Sequence, residues 1–225
     1  MNKAQYTRNE EIANAAIHGF GIVSGMAAGG WLLQKALCCC DIWAVSSVSA
    51  YIVCMLFSYT ASTLYHARGI CKEKKRRTTL RKLDHIAIYF HIAGTYSFFT
   101  LTILRETAFW GWLLFFIVWT AALAGSYISL KGKGIGKKIE TVCYVVMGLV
   151  VFVAFKPLIE TLYPTGSLDI LWYIIAGGVS FIVGALFYSF KKIRYGHSVF
   201  HLFVIGGSIF HILAIFVSLN RFQSM

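Results

Sequence analysis

Gly196-His197-Ser198-Val199-Phe200-His201 opens an apolar run that continues to residue 219. On a helix, residues four apart project from one face, because each residue turns the helix by about 100° and advances it by about 1.5 Å. His197 and His201 therefore stand one above the other. A stretch of this length and apolarity matches a membrane span, where a polar side chain is costly and marks a functional site by default. Two imidazoles on one face make half of a zinc site. The other half has to come from elsewhere in the chain, at the same depth.

The rest of the sequence has the same membrane character. Its 225 residues are 58% hydrophobic and only 13% charged, with two prolines, whereas a soluble domain is about one-quarter charged. Seven apolar segments have spanning length: 18–37, 42–66, 84–104, 108–130, 138–156, 168–190 and 197–219. The expected fold is an all-α, seven-transmembrane helix bundle. Residues 1–17 form an N-terminal segment with a short amphipathic helix running into the first span, and 220–225 form a tail. Thr7-Arg8-Asn9-Glu10 has the capping-box pattern that starts such a helix. The first 17 residues are polar to amphipathic and do not read as a cleavable signal peptide. Gly21, Gly25 and Gly29 form a doubled GxxxG ridge, and Ala176, Ser180 and Gly184 repeat the spacing. Both are expected packing surfaces. Pro157 and Pro164 predict helix ends near the fifth connection.

The net charge of +12 does not point to nucleic acid, because the basic residues fall in the connecting loops. Lys3 and Arg8 precede the first span. Arg68, Lys72, Lys74, Lys75, Arg76, Arg77, Arg81 and Lys82 lie between the second and third. Lys131, Lys133, Lys137 and Lys138 follow the fourth, and Lys191, Lys192 and Arg194 follow the sixth. These are 17 of the 21 Lys and Arg, all on one side; only Lys35, Arg105, Lys156 and Arg221 fall on the other. The positive-inside rule then puts the N-terminus in the cytoplasm and the C-terminus outside. A retinal protein would need a lysine within the last span, and residues 197–219 contain none. The six cysteines include no CxxC pair, and Cys38-Cys39-Cys40 cannot all face one metal.

With this topology, His18, His66, Asp84, His197 and His201 all fall at the cytoplasmic ends of their spans. His66, His197 and His201 suit Zn²⁺ and leave its fourth position for water, which the metal would activate near neutral pH. Asp84 is placed to orient or deprotonate that water. Ser62, on one stripe with Ser58 and His66, could hydrogen-bond it. Other accounts stay open: helix-end histidines at an interface, Asp84 as an N-cap, and Ser62 bonded back to a helix carbonyl. His91 shares its stripe with Asp84 and Thr95 and could line a cavity; the place of His85 stays open. His211 lies about 21 Å beyond His197, too far for the same metal, and is expected to be a satisfied bundle histidine.

Three motifs resemble the bacterial hemolysin III family, within the progestin and adipoQ receptor superfamily that includes the adiponectin receptors. They are Glu11-Ile12-Ala13-Asn14-Ala15-Ala16-Ile17-His18-Gly19, Ser62-Thr63-Leu64-Tyr65-His66 with Lys82-Leu83-Asp84, and His197-Ser198-Val199-Phe200-His201. The resemblance implies that His66, His197 and His201 bind zinc and that Asp84 and Ser62 contact its water. Glu11, Asn14 and His18 belong to the family pattern in a structural or supporting role. It also implies kinship with alkaline ceramidases and a multi-pass protein of the bacterial plasma (inner) membrane.

The expected function is hydrolysis of lipid amide or ester bonds, with membrane lipids as substrate or ligand. Two other functions compete, a membrane-state sensor with structural zinc and a cytolytic pore-former. The absence of an extended N-terminal soluble region gives no reason to expect a protein hormone as partner, and the sequence sets no oligomeric state.

Overall fold

The computed structural model describes residues 6–71, 74–107, 109–131, 137–190 and 193–224; side chains at 74–76, 137–138 and 222–224 fall outside that description. Lys3, Lys72, Lys133, Lys191 and Lys192 of the basic loops lie outside the described residues, as do the side chains of Lys74, Lys75, Arg76, Lys137 and Lys138. The protein is all-α. Its helices are α1 (Arg8–Cys38), α2 (Ile42–Ile70), α3 (Lys74–Leu101), α4 (Trp110–Lys131), α5 (Lys137–Leu149), α6 (Phe155–Leu162), α7 (Leu168–Ser189) and α8 (Gly196–Ser224). A 3₁₀ stretch, Val150–Ala154, joins α5 to α6 so that the two make one crossing, giving seven helical passes. Six passes among the described residues are long and apolar enough to cross a membrane, which makes this a multi-pass membrane protein.

The capping box forms as expected: the Glu10 amide donates to Thr7 Oγ1 at 3.3 Å and the Thr7 amide to Glu10 Oε2 at 2.8 Å. The amphipathic segment also runs into the first span, as expected. From Arg8 the chain runs unbroken to Cys38, because nothing in the sequence between them stops a helix. One seam of α1 is buried: Glu11, Asn14, His18, Gly21, Gly25, Gly29, Leu32 and Ala36. The glycines bring α2 close; a Cβ at Gly21, Gly25 or Gly29 would lie within 3.0–3.1 Å of Tyr59, Met55 or Ile52.

α3 is not among the six apolar passes, although residues 84–104 read as a span. It packs against α2, α4, α5 and α8, inside the bundle. Its polar side chains are therefore shielded from lipid. Thr95, Ser97 and Thr100 each donate to the carbonyl four residues back, at 2.8–2.9 Å. A helix surrounded by other helices can be less apolar than its neighbours at little cost.

The fifth crossing also differs from expectation. Pro157 does not end a helix but sits in the first turn of α6, where its missing N–H costs least. The break comes earlier, at Val150–Ala154. There the Tyr96 hydroxyl donates to the Gly148 carbonyl at 2.6 Å and accepts from the Val151 amide at 2.8 Å. One side chain on α3 thus satisfies backbone groups on both sides of the interruption. Pro164 follows the end of α6 as expected.

An elongated cavity of about 250 Å³ runs through the bundle. One face of α3 lines it from Arg81 and Asp84 through His91 and Thr95 to Thr100, opposite residues of α5–α8. Arg81 to Thr100 is a step of 19 residues, so the bore follows α3 for about 29 Å. Its walls are mostly apolar.

Close packing of α2 on α3 depends on Gly94, where a Cβ would lie 2.6 Å from Cys54 Cβ and 3.1 Å from its sulfur. Gly94→Ala is expected to lower stability by about 1–3 kcal/mol through overpacking. Gly30→Ala, with nothing within 4 Å of the new methyl, is expected to be neutral or to stabilise by up to about 1 kcal/mol. Thermal unfolding of the detergent-solubilised variants measures both.

Candidate metal centre

His66 occupies the last turns of α2 and is fully buried, while His197 and His201 occupy the first turns of α8. His66 Nε2 lies 3.1 Å from His197 Nε2 and 3.3 Å from His201 Nε2. The three ligand atoms fall within 4.8 Å of one another, so the cluster could hold a metal ion. Tetrahedral coordination at about 2.05 Å per nitrogen separates ligand atoms by about 3.3 Å, close to the two measured spacings.

The far side of His66 is as well defined. Its Nδ1 lies 2.7 Å from Glu11 Oε2, and Arg77 of α3 makes a close ion pair with the other Glu11 oxygen. A carboxylate only accepts, so this contact puts the His66 proton on Nδ1 and leaves a lone pair on Nε2, facing the cluster. Asn14 Nδ2 also lies near His66 Nδ1, at 3.4 Å. An amide N–H cannot donate to a nitrogen already carrying a proton, so this is a packing contact. The productive bond of Asn14 is to α8: the Ser198 hydroxyl donates to Asn14 Oδ1 at 2.6 Å. Glu11 and Asn14 therefore brace the cluster from behind.

His18 packs its ring against His201, with centroids 3.9 Å apart. Its two nitrogens have no hydrogen-bond partner among the described residues, and its ligand atoms are not part of the three-histidine group. Tyr6 stacks on His197 at 4.8 Å and 19°, walling off the cluster on that side.

Asp84 is buried and lines the cavity with His18, His197 and His201. It is not an N-cap, because α3 starts ten residues earlier at Lys74. Ser62 lies one turn before His66 on α2; its hydroxyl is buried and has no partner among the described residues, so it is not bonded back to a helix carbonyl. Ser62 does not line the cavity, whereas Ser58, on the same stripe, does. His85 pairs with Glu140 at 2.7 Å, and both open on the same end of the cavity as Asp84. His91 lines the cavity deeper in. His211 does too, and it is not the fully satisfied histidine expected, since its Nδ1 is buried without a partner among the described residues.

Sequence reasoning missed Arg77 and Tyr6. Arg77 sits in a run of eight basic residues that looks uniform, and only its pairing with Glu11 distinguishes it. The Glu140–His85 pair also escaped notice, because 55 residues separate its members.

The chain matches the family model described as Haemolysin-III related over residues 6–212. It is 39% identical over 199 residues to Hemolysin-3 of Bacillus cereus, covering 88% of this chain and 87% of that protein. Identity to the Hemolysin-3 homolog of Bacillus subtilis is 37% over 203 residues, covering 90% and 91%. The human Monocyte to macrophage differentiation factor is similar at 28% over 220 residues, covering 94% and 85%. With its buried three-histidine cluster set in a multi-pass bundle, this chain belongs to the haemolysin-III related family.

Proposed function

We propose that this protein is a zinc-dependent hydrolase of the bacterial plasma membrane that cleaves amide or ester bonds of membrane lipids. The observation that carries this is the joining of two features: three converging imidazole nitrogens, and a long, mostly apolar cavity whose end is lined by two of those rings, His197 and His201. An acyl chain fits such a bore, and its carbonyl then lies at the polar end. In the proposed topology α3 is the third of seven spans, the N-terminus is cytoplasmic and the cluster lies near the cytoplasmic face. The 17 to 4 division of Lys and Arg supports that orientation.

His66, His197 and His201 would hold the ion through Nε2, an all-nitrogen donor set that suits Zn²⁺. When bound, zinc supplies Lewis acidity, lowering the pKa of a water and polarising a carbonyl. Asp84 then takes a proton from the attacking water as its oxygen adds to the carbonyl carbon. It returns the proton to the departing nitrogen or oxygen as that bond breaks, leaving a carboxylic acid and an amine or alcohol. Ser62 lies behind the cavity wall, one turn before His66, and would hydrogen-bond the attacking water from that side. Glu11 holds the His66 ring in its ligating tautomer, and Arg77, paired with the other Glu11 oxygen, holds Glu11 in place.

Metal content, metal affinity and turnover test this. Purified protein is expected to carry one zinc per chain by elemental analysis, and His66→Ala or His201→Ala to lose it. Glu11→Gln is expected to weaken metal affinity about 10–100-fold in a chelator competition. Asp84→Asn should keep the metal while losing at least about 100-fold in lipid amide or ester hydrolysis. A zinc-loaded wild type that cleaves none of a broad panel of ceramides, acyl amides and phospholipids would sink the hydrolase and favour structural zinc in a membrane-state sensor.

A further inference from the structure

Beyond the metal cluster the bore stays mostly apolar, yet two imidazoles face it at mid-depth. His91, seven residues past Asp84 on α3, is about 10 Å deeper, and His211, ten residues past His201 on α8, is about 15 Å deeper. Neither can reach the metal. Both line the cavity, and both are more than nine-tenths buried.

Their hydrogen bonding defines what they can still offer. The Ser208 hydroxyl donates to the Val204 carbonyl at 3.0 Å and accepts from the Tyr59 hydroxyl at 2.7 Å. Its one hydrogen is thus used, and His91 Nε2, 3.3 Å away, must be a donor to it. The acceptor left on His91 is Nδ1. His211 Nδ1 is buried and has no partner among the described residues. Room for this ring is carved out of α7, since a Cβ at Gly177 would lie 2.4 Å from His211 Nε2. Phe181 packs its ring against both imidazoles, at 5.9 Å from His91 and 5.5 Å from His211. Both rings thus line the bore against Phe181, with His91 Nδ1 in no hydrogen bond among the described residues and His211 Nδ1 buried without a partner there. A buried polar atom without a partner is costly, and a hydroxyl can serve as its donor or its acceptor.

We propose that His91 and His211 form a second polar station that selects lipids carrying a hydroxyl group partway along the chain. This rests on the lipid-cavity reading above and adds the substrate class. The hydroxyl supplies the partner that the station lacks, while the chain on either side meets apolar wall.

The test is equilibrium binding, which needs no turnover. Ricinoleoyl and oleoyl ethanolamide share length and unsaturation and differ by one mid-chain hydroxyl. Each would be titrated against a fluorescent fatty acid bound to the purified, detergent-solubilised protein. The wild type is expected to bind the ricinoleoyl amide about fivefold tighter or more, the worth of one hydrogen bond to an otherwise unsatisfied group. His211→Leu should reduce the preference to within about twofold without weakening the oleoyl amide, and His211→Gln, which keeps a polar partner, should restore part of it. Equal or weaker binding of the ricinoleoyl amide by the wild type overturns the station and leaves the lipid cavity standing, whether or not the variants fold. A preference intact in His211→Leu overturns it too. Failure of both amides to displace the probe would overturn the lipid cavity with it.

Discussion

The Glu11 carboxylate is almost completely withdrawn from solvent, and the ends of three helices are arranged around it. A buried charge is tolerated only when it is paired and hydrogen-bonded. Glu11 meets both demands, with His66 of α2 on one oxygen and Arg77 of α3 on the other. The approach is so tight that Gly69 cannot carry a side chain: its Cβ would lie 2.5 Å from the Glu11 carboxyl. One residue earlier, Glu10 accepts from the Tyr195 amide at 3.1 Å, tying α1 to the turn that leads into α8. Asn14, one turn on, takes the Ser198 hydroxyl. The three-histidine cluster is the consequence. Ligands from α2 and α8 meet because α1 is bonded to both.

The seam that carries Glu11, Asn14 and His18 continues as Gly21, Gly25 and Gly29, so register and distance between α1 and α2 are set by the same stripe. Polar groups fix which residues face each other, and small residues fix how closely. The cavity begins where this packing stops. α3 presents a polar end to the cluster and an increasingly apolar face beyond it, and the interrupted fifth crossing, pinned by Tyr96, forms part of the opposite wall.

Much of this was legible in the chain. The apolar runs gave the helices, and His197 and His201 could be placed on one face from spacing alone. Loop charge put His66 and Asp84 at the same end as that pair. What could not be read depends on partners distant in sequence. Arg77 has the same local surroundings as its basic neighbours. The Val150–Ala154 break lies in an uninterrupted apolar run, and its stabilising hydroxyl comes from a residue 52 positions earlier. Pro157 drew attention to the wrong turn, since a proline is tolerated at the start of a helix as readily as it ends one. The single helix through residues 8–38 could be read, since a change from polar to apolar composition does not by itself interrupt hydrogen bonding.

Polarity inside a membrane protein is informative only after the cheap cases are removed. Thr95, Ser97, Thr100 and Thr102 are buried, but each hydroxyl satisfies itself on its own helix backbone, so their presence on or after α3 demands no ligand. The partnerless hydroxyls of Ser126, Ser129 and Thr63 could reach the same solution by rotating about one bond. An imidazole has no such escape, because its ring is too wide to fold back on the preceding turn. Among the described residues, His18, His201 and His211 each keep a buried ring nitrogen without a hydrogen-bond partner, and all three line the one elongated cavity. Random burial of histidines would scatter such atoms among the helix interfaces. Their alignment along one bore, from the three-histidine cluster inward, is what an extended ligand with polar groups at more than one position would require.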